Sequence, residues 1–563
     1  MYSTFRHSMA WLHTWLGLVL GFVLMIAFFF GTLSVFDREI DRWAVPETRF
    51  EAQVMPSYDN MLKDVFARIE PDPAELAEAR TRVTKPLPEP LQAIGWGAYT
   101  THRDPVLTMY SEFAIPNNPD DPADHVHGYA TVDPRTGEML SQDQLKIGSR
   151  FFYPLHYGLH LHWKNLGIWI VGVAALVMLA ALVSGVVLHR KIFKEFFTFR
   201  PKKRTQRSAL DLHNLTGVVA LPFHFIFALS GLTIFAQIYF PMSSTMLESQ
   251  AMSHMMAEAE SQGLPFSPSG EPADISSVDA MVVEAKRRWE ARGMPGEVGS
   301  LWISHLGDAD SYVSIYRAGS DRVTLVGQGV HFKATTGEVI YEEPPPSVPF
   351  AINNFLTGLH LQHFEHWLLR WFYVVGGLAG CICIATGFIF FLEKRKTQHA
   401  FLQGGGARWV DALATTTVTG MVVATLSILV FSRVLPAQME NRAGLLEGIF
   451  WCSWLVSLLH AAFRNPVVRK ARISPAWREQ CWVIALLAVS AVVLNWITTG
   501  DHLLKTLSEP YWPVAGMDLV LLVTAACSVQ AARVLQRRER AGLPEIAVRD
   551  APLSAQEAEA NHV

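Results

Sequence analysis

Eight apolar runs constrain this chain more than any other feature, because each is long enough to cross a bilayer. A helix needs about 20 mostly apolar residues to span the roughly 30 Å hydrocarbon core. Half of the 563 residues are hydrophobic and only 17% are charged, which excludes an ordinary soluble enzyme of this size. We therefore predict a predominantly α-helical integral membrane protein. The runs cover 11–36, 168–188, 215–240, 371–392, 410–430, 445–463, 482–497 and 514–534.

The basic residues gather after every second run. Lysines and arginines are dense in 190–207, 394–396, 464–472 and 533–540, and by the positive-inside rule these stretches face the cytoplasm. The alternation predicts eight crossings with both termini inside a bacterial inner membrane, and two long polar segments outside it. The first run is too long for a cleaved signal peptide and is followed by acidic residues, so we expect a retained anchor.

A repeat at an offset of 200 positions relates the two halves of the first 400 residues. The tripeptide 136–138 recurs at 336–338, and the tetrapeptide 158–161 recurs at 358–361. We infer an internal duplication whose matched residues include two histidines per half. In the first helix of each half, Ser8, Leu12, His13, Gly17 and Gly31 recur as Ser208, Leu212, His213, Gly217 and Gly231.

The polar segments 37–150 and 241–353 each show a helical stretch followed by short alternating strands. Helical spacing covers 58–69 and 278–289, and the strand patterns cover 93–99, 106–113, 127–132, 300–303, 312–316, 323–332 and 338–341. The turns that contain Gly137 and Gly337 are expected to need positive φ. Each segment is thus predicted to form one α+β domain.

The predicted organisation follows from these patterns. The first membrane helix ends at 36, and the others cover 155–188, 211–240 and 357–392, with cytoplasmic loops at 189–210 and 393–409. A C-terminal module of four membrane helices occupies 410–540, and a cytoplasmic tail occupies 541–563.

A helix and a strand meander that ends in a Gly-Glu turn, placed between membrane helices, resembles the PepSY-associated transmembrane family. The resemblance covers about residues 1–400. It includes the stretches 8–17 and 155–160, and the Asp-Leu-His-Asn of 211–214. It implies two extracytoplasmic PepSY domains and a protein similar to ferric-siderophore reductases, some of which carry two b-type haems. The four C-terminal helices lie outside the resemblance.

The matched histidines are the candidate haem ligands. His13 and His213 each lie about one turn inside the cytoplasmic boundary of equivalent helices, where two neutral imidazoles could bind one haem iron from opposite sides. Gly17 and Gly217 would leave room for the porphyrin. By the same symmetry, His160 and His360 would form a second site near the outer face.

Other histidines compete for these roles, and an interfacial polar residue is the alternative interpretation for each. His156 lies one turn before His160, and His363 follows His360 closely. His224 lies eleven residues after His213, which in a straight helix is three turns along the same face and roughly 16 Å deeper. His189 ends the second helix beside basic residues and could replace an inner ligand or cap the helix.

Two weaker signals remain. Met252, His254, Met255 and Met256 form a soft-ligand cluster that could bind copper or iron, although methionine also serves in ordinary packing. His125 and His127 alternate onto one face of a predicted strand, where they could contact a metal or a substrate.

We expect a di-haem oxidoreductase that takes electrons from a cytoplasmic reductase or quinol and reduces ferric siderophore iron outside. No nucleotide-binding motif or nucleic-acid partner is expected. One alternative is a non-enzymatic membrane protein that binds a periplasmic partner. Another is an iron or siderophore transporter. Against transport stands the lack of embedded carboxylates and of broken helices at matched positions.

Overall fold

The computed structural model describes residues 4–50, 57–99, 104–118, 124–140, 146–188, 198–201, 203–240, 253, 256–402, 405–464 and 474–540. The chain divides into two compact units. We name the unit of Met1–Pro46, Leu145–Leu232 and Trp371–Val563 the membrane unit, and the unit of Glu47–Gln144 and Thr233–Arg370 the sheet unit.

Helices dominate the membrane unit, and strands with a few helices make up the sheet unit. The first seven helices are α1 Phe5–Val19, α2 Gly21–Ser34, α3 Asp37–Ala44, α4 Tyr58–Asp64, α5 Pro73–Arg82, α6 Tyr153–Gly158 and α7 Leu166–Leu188. The next six are α8 Thr205–Val219, α9 Leu221–Ile234, α10 Ala236–Tyr239, α11 Val278–Ala291, α12 Val348–Leu361 and α13 Trp367–Leu402. The last six are α14 Gly405–Thr415, α15 Met421–Val434, α16 Arg442–Arg464, α17 Pro475–Thr499, α18 Leu503–Ser508 and α19 Trp512–Arg540.

Two of the predicted spans are bent rather than straight. Among the described residues, six helices are long and apolar enough to cross a membrane, and the number rises to eight if each of two bent pairs is one span. The pair α1 and α2 bends by 59° at Leu20, and the pair α8 and α9 bends by 64° at Ala220. Gly21 and Pro222 follow these bends, and glycine and proline are common at helix breaks.

The bends correct two expectations. Broken helices do occur at matched positions, since Leu20 and Ala220 are 200 residues apart, so the argument made against transport on that ground is wrong. The bend at Ala220 also separates His213 from His224. The eleven-residue spacing therefore no longer implies one helix face or a straight rise of three turns.

Strands from both polar segments form one antiparallel sheet of eight strands. The strands are β1 Ala93–Tyr99, β2 Leu107–Ala114, β3 His125–Val132, β4 Met139–Leu140, β5 Val298–Ser304, β6 Tyr312–Arg317, β7 Gly329–Lys333 and β8 Val339–Glu342. Their order is β4-β3-β2-β1-β5-β6-β7-β8. The two halves join where β1 pairs with β5, with Gly97 opposite Trp302. The sequence suggested a separate domain in each segment, whereas the sheet unites them.

One face of the sheet is buried against α4 and α11. Trp96 of β1 and Trp289 of α11 are both fully buried in this core, together with Leu301 and Phe332. The alternate residues of the strands form the other face, where Tyr99 is about half exposed. Period-two alternation therefore separates the core face from the outer face.

The two core helices cap each other. Asp279 of α11 accepts the backbone N–H of Tyr58 at 2.8 Å, at the start of α4. Asp59 of α4 accepts the backbone N–H of Val278 at 2.7 Å, at the start of α11. A carboxylate at a helix N-terminus satisfies an orphan N–H group and interacts favourably with the helix dipole. The exchange fixes the two N-termini side by side.

Local predictions were mostly accurate, but they failed at some element ends and missed one helix. Gly137 and Gly337 have φ values of 71° and 75°, as the turn pattern predicted. The predicted helix 58–69 ends at Asp64 and continues as the 3-10 turn Phe66–Arg68. The predicted strand 323–332 is shortened to Gly329–Lys333, and α5 was not predicted.

Asp41 in α3, which follows the first candidate span, is a buried carboxyl group. Its Oδ1 accepts the backbone N–H of Gly148 at 2.7 Å, and its other oxygen accepts the hydroxyl of Ser149. Burial raises the pKa of Asp41 to about 6, although the hydrogen bond from Ser149 acts in the opposite direction. The native state thus binds this proton more tightly than the unfolded chain does.

Stability should therefore fall as the pH rises from about 4 to about 6. Over that range the unfolded chain releases the Asp41 proton first, which favours unfolding by up to about 3 kcal/mol. Thermal denaturation of the detergent-solubilised protein across this range measures the slope. Asp41→Asn should flatten it, and an unchanged slope in that variant would assign the effect to other groups.

Candidate functional site

His13 and His213 lie side by side in the membrane unit. Their ring centres are 6.1 Å apart and their planes are nearly perpendicular, at 82°. His13 is in α1 and His213 is in α8, so each comes from the first half of a bent pair. The pairing that the sequence proposed for these two histidines is thus compatible with their positions.

Each of these rings is held by a backbone carbonyl of a neighbouring long helix. Nδ1 of His13 is 3.1 Å from the carbonyl oxygen of Ala181 in α7. Nδ1 of His213 is 2.8 Å from the carbonyl oxygen of Cys383 in α13. A carbonyl oxygen only accepts, so Nδ1 carries the proton in both rings, and Nε2 carries the lone pair.

Glycines on the same helices face the two imidazoles at ordinary contact distances. A Cβ at Gly185 would lie 3.5 Å from Cε1 of His13, and a Cβ at Gly387 would lie 3.4 Å from Cε1 of His213. Each glycine follows a hydroxyl residue, Ser184 or Thr386, and comes four residues after the carbonyl that holds the ring. The two supports therefore share one local pattern, Ala-x-x-Ser-Gly and Cys-x-x-Thr-Gly.

The separation of the ring centres is compatible with one metal ion between the two rings. Two metal–nitrogen bonds of about 2.0–2.1 Å and the distance from each ring centre to its nitrogen add up to roughly 6 Å. The observed separation of the ring centres is 6.1 Å. Ligating histidines usually donate their other ring N–H to a carbonyl or carboxylate, as Nδ1 does here. The donor set therefore suits bis-histidine haem ligation.

His224 is the least exposed of the candidate ligands that the structure describes. It is 2% exposed, and its ring is hydrogen-bonded to the backbone of Gly376 in α13. Within the described part of the chain, Nε2 has no hydrogen-bond partner. The ring of Phe28 packs edge-on against it at 5.4 Å. An orphaned imidazole nitrogen in an apolar setting is costly and marks a candidate ligand.

His156 is held in the same manner as the first pair. Its Nδ1 is 2.8 Å from the carbonyl oxygen of Ala27 in α2. A Cβ at Gly31 would lie only 2.7 Å from that nitrogen, so Gly31 makes room for the ring. His156 and His224 therefore contact adjacent residues of α2, Ala27 and Phe28.

His160 and His360 occupy different units. His160 has a positive φ of 53°, and its Nε2 is 2.9 Å from the carbonyl oxygen of Phe151, whose ring stacks on it. His360 is near the end of α12 in the sheet unit. His363 lines a cavity of about 120 Å³ together with residues 319, 320 and 322–326 of the same unit. The pairing of His160 with His360 stays a prediction.

The remaining candidates fall largely outside the described residues. His189, Met252, His254 and Met255 all lie outside them. Met256 is described and is 46% exposed. The soft-ligand cluster therefore stays a prediction.

A buried carboxylate in the last candidate span escaped the sequence reasoning. Asp518 of α19 is fully buried, and it accepts Nε1–H of Trp43 at 2.8 Å and the amide of Asn495 at 3.4 Å. The expectation that the chain lacks embedded carboxylates is wrong for this helix, although the residue has no counterpart in the repeat. The sequence feature that could have identified this residue is an aspartate within an apolar run.

A second polar network lies near the other end of the C-terminal helices. Nε2 of His460 is 2.9 Å from the carboxylate of Glu479, which also pairs with Arg464. Buried Gln480 donates to the carbonyl of Ser457 at 2.9 Å. The network adjoins the π-helical segment Thr416–Gly420, a type of irregularity frequent at functional sites. The sequence alone showed no such constellation there.

Comparisons with known proteins show that the family region lies within the first 400 residues. A family model described as the PepSY-associated TM region matches residues 10–394. The uncharacterized protein PA4219 of Pseudomonas aeruginosa is 24% identical over 375 residues, which cover 63% of this chain and 86% of that protein. The family match includes His13, His156, His213 and His224. The chain therefore belongs to the PepSY-associated TM family.

Proposed function

We propose that the protein is an inner-membrane di-haem b-type oxidoreductase that carries electrons outward across the bilayer. The donor would be a cytoplasmic reductase or membrane quinol. The acceptor would be ferric iron in a siderophore, which takes one electron and is released as the more weakly held ferrous ion. The observation that carries this proposal is the facing of His13 and His213, with ring centres 6.1 Å apart.

In this proposal His13 and His213 would hold one haem b through their Nε2 atoms. A bound haem supplies reversible one-electron exchange between ferric and ferrous iron. The carbonyls of Ala181 and Cys383 keep Nδ1 protonated and fix the orientation of both rings. Because these supports lie on α7 and α13, the ligands are held by rigid helices rather than by loops.

A second haem would use His224, with His156 as its partner. The support for His224 is its buried Nε2, which has no partner within the described residues. The support for His156 is the carbonyl of Ala27, which leaves the lone pair on Nε2. His160 is a weaker candidate, since the carbonyl of Phe151 holds its Nε2 and leaves the lone pair on Nδ1, the nitrogen closer to the backbone.

The orientation and the origin of the chain are part of the proposal. The basic stretches 198–207 and 394–396 would face the cytoplasm, which would place the sheet unit in the periplasm. The bends at Leu20 and Ala220, 200 residues apart, support an ancestral duplication of the first 400 residues.

Transport of iron or a siderophore is the second candidate function. The matched bends favour it, because transporters often bind substrate at breaks in repeated helices. It gives no reason, however, for four histidines each held to a backbone group on a neighbouring helix. A purely structural role for the helices leaves the same arrangement unexplained.

The visible spectrum of the purified protein tests the proposal. A dithionite-reduced minus oxidised spectrum in detergent should show the Soret and α bands of b-type haem. Haem supplementation of the expression culture excludes loss of the cofactor through limited supply. A protein that folds but shows no haem bands under these conditions would favour transport, which radioactive iron uptake into vesicles would then measure.

A further inference from the structure

Two histidines and a glutamate lie close together on the outer face of the eight-stranded sheet. His125 and His127 lie two residues apart on β3, and Glu112 lies directly opposite His127 on β2. One ligand atom from each of the three side chains lies within 4.8 Å of the others. The sequence pointed to the two histidines, but only the register of β2 and β3 adds the carboxylate.

A second carboxylate orients one of these rings. Oε2 of Glu75, in α5, is 3.2 Å from Nδ1 of His127 and also accepts the backbone N–H of His127 at 2.8 Å. Because a carboxylate accepts, Nδ1 of His127 carries the proton and Nε2 carries the lone pair. A carboxylate that holds the other nitrogen of a histidine is the usual support of a metal-binding imidazole.

The neighbouring strand makes room for Glu112. A Cβ at Gly95 of β1 would lie 2.6 Å from Oε2 of Glu112, so the carboxylate lies directly over that glycine. On β3, the strand on the other side of Glu112, the rings of His125 and His127 have centres 5.1 Å apart. The three ligands are thus held on adjacent strands, which are more rigid than loops.

We propose that Glu112, His125 and His127 bind a divalent first-row transition-metal ion such as Zn²⁺ or Fe²⁺. Two imidazoles and one carboxylate suit these ions, whereas Mg²⁺ and Ca²⁺ prefer oxygen ligands alone. Two atoms bound to one ion at about 2.1 Å are at most about 4.2 Å apart, so small side-chain rotations complete the site. Three protein ligands leave coordination positions open to water or to another ligand.

Metal binding to the full-length protein tests this site without any measurement of electron transfer. The protein is purified with a tag that lacks histidine, treated with a chelator, and titrated with Zn²⁺ by isothermal calorimetry, with Co²⁺ spectra as a second readout. His127→Ala and Glu112→Gln should each remove one equivalent of bound metal. Glu75→Gln should keep the site but lower its affinity about 10–100-fold, because the ring loses its support.

A matched control comes from the same unit. His305 lies in the turn after β5 and has a positive φ of 53°, so His305→Asn keeps a residue type that this backbone tolerates. This variant should bind as much metal as the unmodified protein. Equal Zn²⁺ stoichiometry in the unmodified protein and in His127→Ala would overturn the proposal, as would an equal loss in His305→Asn.

Discussion

Replacing His213 with alanine should halve the haem content of the purified protein and abolish electron transfer through it. In the proposed site His13 and His213 would each supply one of the two ligands to a haem iron, so loss of either ring would weaken haem binding. Pyridine haemochrome analysis against protein concentration measures the loss. Because both rings would serve one iron, His13→Ala should give the same result.

The double variant sharpens this test. Two residues that act on one iron are not additive, so His13→Ala combined with His213→Ala should lose no more haem than either variant alone. His7→Gln is the matched control, since His7 is an exposed histidine on the same helix, α1. If the two single variants each removed a different haem, His13 and His213 would belong to separate sites.

Two further variants test which histidine binds the second haem. His224→Ala should remove it, because the buried Nε2 would be its ligand, whereas His160→Ala should leave the haem content unchanged. The opposite result would support the symmetric pairing of His160 with His360.

Replacing Trp96 with alanine should destabilise the sheet unit by about 3–5 kcal/mol. Trp96 is fully buried in the middle of β1, the strand that pairs with both halves of the sheet. Removing so large a side chain forfeits its burial and leaves a cavity. Limited proteolysis at increasing urea concentration, followed by mass spectrometry of fragments from the sheet unit, measures the loss.

Tyr99 provides the control on the same strand. It lies on the opposite face and is 51% exposed, so Tyr99→Ala should cost about 1 kcal/mol or less. Equal destabilisation by the two variants would contradict the assignment of the core to the Trp96 face.

The sequence predicted strands and turns, which depend on residues close together in the chain. It did not predict strand pairing, which depends on residues far apart in the chain. Alternating apolar residues identified the strands, and the glycines at 137 and 337 identified the turns. The pairing of β1 with β5 joins residues about 200 positions apart, and no local pattern specifies it. The same limit applied to Glu112, whose place beside His127 is set by strand register.

The candidate haem site shows this division most clearly. The sequence singled out His13 and His213 for two reasons. They recur at the 200-residue offset, and apolar segments rarely carry ionisable residues. The carbonyls of Ala181 and Cys383 that hold the rings lie about 170 residues away on other helices. Backbone groups carry no sequence signal, so the ranking of His156 and His224 above His160 needed the structure.

The pairing of β1 with β5 also sets an order of events during synthesis. β1 is complete at Tyr99, but its partner begins only at Val298. At about 5–20 residues per second, the ribosome needs on the order of 10–40 s to make the chain between them. Throughout that interval the first half of the sheet has an open edge, and such edges attract other strands. Any chaperone that shields β1 during synthesis would have to leave before β5 can close the sheet.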